Sequence, residues 1–94
     1  MSLNELNLQI GQILIQEEGK RDVRDAILGL YEATTKLSTA YIRNKDTEEI
    51  ERRIANIFIG LCDVLQTLDI QDPESILQKR ILELADELNF LSPV

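Results

Sequence analysis

From Thr47 to Leu68 the apolar side chains recur with the period of a helix and not of a strand. Ile50, Ile54, Ile57, Phe58, Leu61, Val64, Leu65 and Leu68 fall on one broad arc when successive residues are turned by about 100°. One neighbouring helix cannot cover a stripe this wide, so it predicts burial on more than one side. The rest of the chain follows the same period. Four glycines and two prolines in 94 residues leave few breaks, and those breaks separate four helices, at about 3–18, 23–43, 47–68 and 73–89.

Local signals support each boundary. Ser2 with Glu5 reads as a capping box, and Asp46 with Glu49 as a reciprocal one. Asp22 is placed to cap the second helix. Asp72-Pro73 supplies an N-cap followed by proline at the first helical position. Gly19 is a suitable stop for the first helix. The short connector Asn44-Lys45-Asp46 predicts that the second and third helices lie antiparallel and adjacent. Val23, Ile27, Leu30, Thr34, Leu37 and Tyr41 form the expected inner stripe of the second helix. Ile76, Leu77, Ile81, Leu84, Ala85 and Leu88 form that of the fourth. Phe90 to Pro93 is apolar for a tail and is expected to dock. The expectation is a single all-α domain spanning 1–94, a four-helix bundle completed by oligomerisation. A chain this short cannot readily cover so many apolar faces by itself, and large uncovered patches are unusual on monomers. The expectation is a homodimer or dimer of dimers, with the second and third helices against their symmetry mates; the alternative is a closed four-helix monomer whose first helix caps the open face.

Composition removes several kinds of chemistry. There is no histidine and only one cysteine, Cys62, so internal disulfides, His-type zinc sites and Ser-His-Asp triads are absent. Any metal would be a hard cation held by carboxylates, Mg²⁺ or Mn²⁺. Seventeen acids against ten bases give a net charge of −7, which argues against nucleic acid and against anionic membrane surfaces as partners. No apolar run is long enough to span a bilayer, and no secretory signal opens the chain, so the expected compartment is the cytoplasm. Cys62 reads as a small buried apolar residue. Tyr31, Tyr41, Phe58 and Phe90 read as packing groups. The acidic run Asp46 to Glu51 reads as capping and dipole compensation.

A second stripe runs beside the apolar one. On the second helix it is Gly29, Ala33, Lys36 and Ala40. On the third it is Arg53, Asn56 and Gly60, with Asp63 and Thr67 below. Small residues on facing helices either let the backbones approach or leave room for a ligand. Lys36 and Arg53 then either snorkel from the rim, paired with Glu32, Glu49 or Asp63, or form an anion pocket.

The stretch from Leu28 to Leu82 resembles the MazG-type all-α nucleoside triphosphate pyrophosphohydrolases. The segments that carry the resemblance are Leu30-Tyr31-Glu32-Ala33-Thr34-Thr35-Lys36-Leu37, the turn Ile42 to Ile50, Arg53-Ile54-Ala55-Asn56-Ile57-Phe58, the turn Thr67-Leu68-Asp69-Ile70, and Lys79. The resemblance implies a MazG-like four-helix fold that assembles through its central helices. In that family two Glu on one helix, and a Glu and an Asp on the next, converge on Mg²⁺, which bridges a triphosphate attacked by water. Position by position, these ligands fall on Ala33, Lys36, Arg53 and Asn56. No acid is left at any of them, and two carry the opposite charge. Only Glu32, at the first Glu of the family's run, remains.

The resemblance therefore implies a degenerate, non-catalytic module with no catalytic residue, no metal and no cofactor. It keeps Lys36, Arg53 and Lys79 as candidate contacts for a nucleotide or another anion. The alternative is a divergent Mg²⁺-dependent pyrophosphohydrolase that uses the residual acids Glu32, Glu49 and Asp63. A further alternative is a helical protein–protein adaptor unrelated to the family.

Overall fold

A computed structural model describes residues 1–18 and 21–88. The chain is all-α, with four helices: α1 (Leu3–Glu18), α2 (Val23–Ile42), α3 (Thr47–Thr67) and α4 (Pro73–Glu87). Among the described residues there is no strand, and no helix is long and apolar enough to cross a membrane. Gly19 and the Phe90–Pro93 tail lie outside the described residues.

The predicted N-termini form as expected. Ser2 Oγ accepts from the Glu5 amide at 3.1 Å, and Asp22 Oδ1 from the Arg24 amide at 3.1 Å. Asp46 Oδ1 accepts from the Glu49 amide at 2.9 Å, and Asp72 Oδ1 from the Ser75 amide at 3.2 Å. Neither capping box is reciprocal: among the described residues the Ser2 amide makes no bond to the Glu5 carboxylate, and the Glu49 carboxylate turns to Arg52 and Arg53. Two strong cationic partners outcompete one backbone amide.

α2 and α3 each end one residue before the predicted limit, and both stop in the same way. Asn44 (φ 54°) and Asp69 (φ 58°) adopt the left-handed conformation. The Lys45 amide then reaches Ala40 O at 3.0 Å, and the Ile70 amide reaches Leu65 O at 2.8 Å. These are Schellman ends built on Asn and Asp, whose short polar side chains tolerate this region better than other non-glycine residues.

The α2–α3 hairpin is the main packing unit, α1 lies on α3, and α4 packs on α1. Gly60 sets the register of the hairpin. A Cβ built there would stand 3.3 Å from Leu30 Cα, so the two backbones meet where α3 has no side chain. The α1–α3 joint is polar. Asn7 is 1% exposed, the largest fully buried side chain among the described residues; its Nδ2 donates to Ile70 O at 3.4 Å, and its backbone carbonyl accepts from Gln66 Nε2 at 3.0 Å. The α1–α4 joint is also polar: Asn4 exchanges hydrogen bonds with Glu74 and donates to Asp72.

Several side chains expected inside are not covered by the chain's own helices. In α4 only Pro73 and Ala85 are buried, whereas Ile76, Leu77, Ile81, Leu84 and Leu88 are exposed. In α2 Ile27 and Tyr41 are exposed, as is Tyr31. Phe58 of α3 is 60% exposed, and Ile54, Leu61 and Leu68 of the same stripe are also exposed. The physical reason is the packing order: α4 leans on the start of α1 and does not close over the hairpin. Among the described residues the buried apolar side chains are small: Ala26, Ala40, Cys62, Pro73 and Ala85. Cys62 is buried as expected, and desolvation pushes its thiol pKa up. The open arrangement shows in the dimensions. The radius of gyration is 15.9 Å, against about 12 Å for a compact domain of this length. The accessible surface is 7561 Å², against roughly 5,500 Å² for a folded monomer of this mass.

Candidate functional site: a groove between α2 and α3

The second stripe lines a groove of about 560 Å³. That size falls within the range of small-molecule sites. With the register fixed by Gly60 against Leu30, the antiparallel helices face one another in rungs. At 1.5 Å per residue that register sets Lys36 opposite Arg53, Ala33 opposite Asn56 and Gly29 opposite Gly60, and all six line the groove. Asp25 and Asp63 line its other end with Arg21, which pairs with Asp63. The structure therefore brings together the four positions singled out by helical spacing, with Glu32 beside them.

The charges divide into paired and unpaired. Arg53 is held by Glu49, with Nη2 and Nε 2.7 and 2.8 Å from Oε1. A helical side chain leans toward the N-terminus of its helix, so this i,i+4 contact draws the guanidinium toward Glu49. Asp63 is buried and pairs with Arg21 Nη2 at 3.1 Å. Lys36, Glu32 and Asp25 form no ion pair or side-chain hydrogen bond among the described residues. Of the partners weighed for Lys36 and Arg53, only Glu49 is used, and by Arg53 alone.

Lys79 is exposed on α4 and is not part of the groove lining. Glu49 also lies outside the lining. Asp63 sits at the floor, shared with a smaller cavity of about 190 Å³ that opens beside Gly11 and Gln66. Glu32 and Asp63 thus line the groove while Glu49 lies outside it, and Asp63 is tied to Arg21. Among the described residues no three carboxylate or thiol groups come together to hold a metal ion. The donors at the four rung positions are an ammonium, a guanidinium, an amide and a methyl. Such a set does not fit Mg²⁺, which takes oxygen ligands and anionic charge.

Sequence reasoning did not single out Arg21 or Asp25. Arg21 lies outside any helix, where periodicity gives no signal. Asp25 was legible, because it lies four residues before Gly29 and so on the same face. No protein family, curated protein or solved structure matches this chain.

Proposed function

We propose that this chain is a non-catalytic, oligomeric helical module of MazG-like build that holds a nucleotide or another anion in the α2–α3 groove. One observation carries the reading. The four positions to which the resemblance assigns metal-binding acids, Ala33, Lys36, Arg53 and Asn56, line a single groove and contribute two cations and no carboxylate. Lys36, with Arg53 opposite it and tied to Glu49, repels a metal and attracts phosphate. Lys36 has no ion-pair partner among the described residues, so an arriving anion need not displace one there.

The oligomeric part rests on the uncovered apolar faces of α2, α3 and α4. The accessible surface exceeds the monomer expectation by roughly 2,000 Å², an area of the order that obligate dimers bury.

Calorimetric titration with inorganic pyrophosphate, without metal, tests the anion site. Saturable binding is expected, weakened at least about tenfold by Lys36→Glu. Binding that Lys36→Glu leaves unchanged would remove the groove from the reading. In parallel, pyrophosphate release from nucleoside triphosphates with Mg²⁺ or Mn²⁺ should not exceed a protein-free control. Turnover abolished by Glu32→Ala would replace this reading with the divergent pyrophosphohydrolase.

A further inference from the structure

α4 repeats one spacing along its free face. Leu77, Ile81, Leu84 and Leu88 follow one another at intervals of four, three and four residues, which sets them within about 60° of arc. This is the seam of a two-stranded coiled coil, with Leu77 and Leu84 at d positions and Ile81 and Leu88 at a positions. All four are between 40% and 72% exposed. The a position one heptad before Ile81 is Glu74, which exchanges hydrogen bonds with Asn4 of α1. The first turn of α4 is thus fixed to the chain's own body, and the seam begins where that attachment ends.

The flanks decide what fits this seam. On one flank the g positions are Arg80 and Glu87, of opposite charge. Arg80 reaches along its own helix to Glu83 at 3.8 Å and Glu87 at 3.6 Å, long exposed pairs of little worth by themselves. On the other flank the e positions, Gln78 and Ala85, carry no charge. In an antiparallel pair g faces g, so Arg80 meets the partner's Glu87, and the two-fold axis makes that pair twice. In a parallel pair g faces e, and Arg80 finds only the partner's Ala85. The antiparallel register sets Leu77 against the partner's Leu88 and Ile81 against the partner's Leu84, then repeats both layers in reverse. It also carries the two bodies, each fixed at a first turn, to opposite ends of the pair, where a parallel approach crowds them together.

We infer that a second copy of this chain packs along α4, helix to helix and antiparallel, about a two-fold axis at the level of Leu82 and Glu83. The inference rests on the oligomeric part of the reading above, adds a contact that α2 and α3 do not make, and does not need the anion groove. Only a second copy brings the same apolar spacing and the same two flanking charges in reversed order.

The test is sedimentation equilibrium of the full chain. Ile81→Ala should raise the dissociation constant at least about tenfold, because the axis uses the residue twice. Arg80→Glu should weaken association about tenfold, and Glu87→Arg likewise, since each sets like charges across the axis in two places. The two reversals combined should restore the unmodified value to within about threefold. All three side chains are exposed in the single chain, and an unchanged helical circular dichroism spectrum verifies the fold of each variant. Single reversals that leave association unchanged, or a combination that fails to restore it, overturn the antiparallel pairing. Association that ignores Ile81→Ala but weakens with Phe58→Ala overturns the α4 contact and leaves the oligomeric reading standing through α3. An unmodified chain that stays monomeric as concentration rises overturns both, and gives the α4 face to residues 89–94 or to a different protein.

Discussion

Phe58 sits near the middle of α3 with 60% of its surface open, flanked on the same face by Ile54 and Leu61, which are also exposed. Complete burial of a phenylalanine side chain contributes about 1.5–3 kcal/mol. Closing the open six-tenths of it in an interface therefore contributes about 1–2 kcal/mol per protomer. A two-fold axis uses the residue twice, so Phe58→Ala should cost a dimer about 2–4 kcal/mol. At about 1.4 kcal/mol per factor of ten, the dissociation constant should rise roughly 30- to 1000-fold. The isolated chain should lose little, because the ring is mostly exposed within it. Sedimentation equilibrium over a hundredfold concentration range measures both quantities, and thermal melting checks that the variant remains folded. A dissociation constant that changes less than threefold would show that α3 is not the contact face. An unmodified chain that stays near 10.7 kDa as concentration rises would refute self-association itself.

The two groove glycines should respond oppositely to alanine. Gly60→Ala forces a methyl to 3.3 Å from Leu30 Cα, and the overpacking of about 1–3 kcal/mol outweighs the gain of about 1 kcal/mol in helix propensity. Gly29→Ala meets only Arg21 at 3.7 Å and should stabilise by up to about 1 kcal/mol. Their melting temperatures should therefore move in opposite directions. Ala33→Glu, Lys36→Glu, Arg53→Glu and Asn56→Asp together set four carboxylates on facing rungs. That variant should melt lower than the unmodified chain without metal and recover with Mg²⁺; a melt indifferent to Mg²⁺ would contradict the facing geometry. Cys62 has its thiol pKa raised by burial. Between the unfolded and folded pKa values the native state holds a proton that the unfolded state has lost. Its contribution is thus complete below the unfolded value and declines as pH rises through the folded one. Modification by a thiol-reactive dye near pH 7 should be slow until denaturant is added, and fast labelling of the folded chain would contradict the burial.

The N-termini were readable because their signals are local. An Asp or Ser beside a free amide needs no tertiary information, and Ser2, Asp22, Asp46 and Asp72 all cap as expected. The C-termini at Asn44 and Asp69 were less visible, since these residues accept left-handed geometry without demanding it as glycine would. The groove was legible for a similar reason. Residues three and four apart share a helix face, and a short connector aligns two such faces. Solvent exposure was not legible. Periodicity says that Ile81 and Phe58 share a side with other apolar residues, but not whether this chain or a second one covers that side. Asn7 shows the converse: nothing in the α1 pattern marks an amide as its most buried side chain. Only the approach of Gln66 and Ile70, roughly sixty positions away, explains it.

The same helix, α3, lines the groove and carries an uncovered apolar arc, and helical geometry keeps them apart. At about 100° per residue, Arg53, Asn56, Gly60 and Asp63 cluster on one side, and Ile54, Phe58 and Leu61 cluster on nearly the opposite side. The sector between Phe58 and Asp63 holds Gln66, which donates to the Asn7 backbone carbonyl of α1. A second copy seated on the Phe58 face therefore leaves the groove mouth open, and a ligand in the groove leaves the Phe58 face untouched. An apolar ligand pocket would compete with the core for the same residue types. This groove is lined by charges and glycines, so the arcs of α3 are divided by chemistry as well as by angle. That division would let one helix of 21 residues carry the proposed assembly face and the proposed anion groove without overlap.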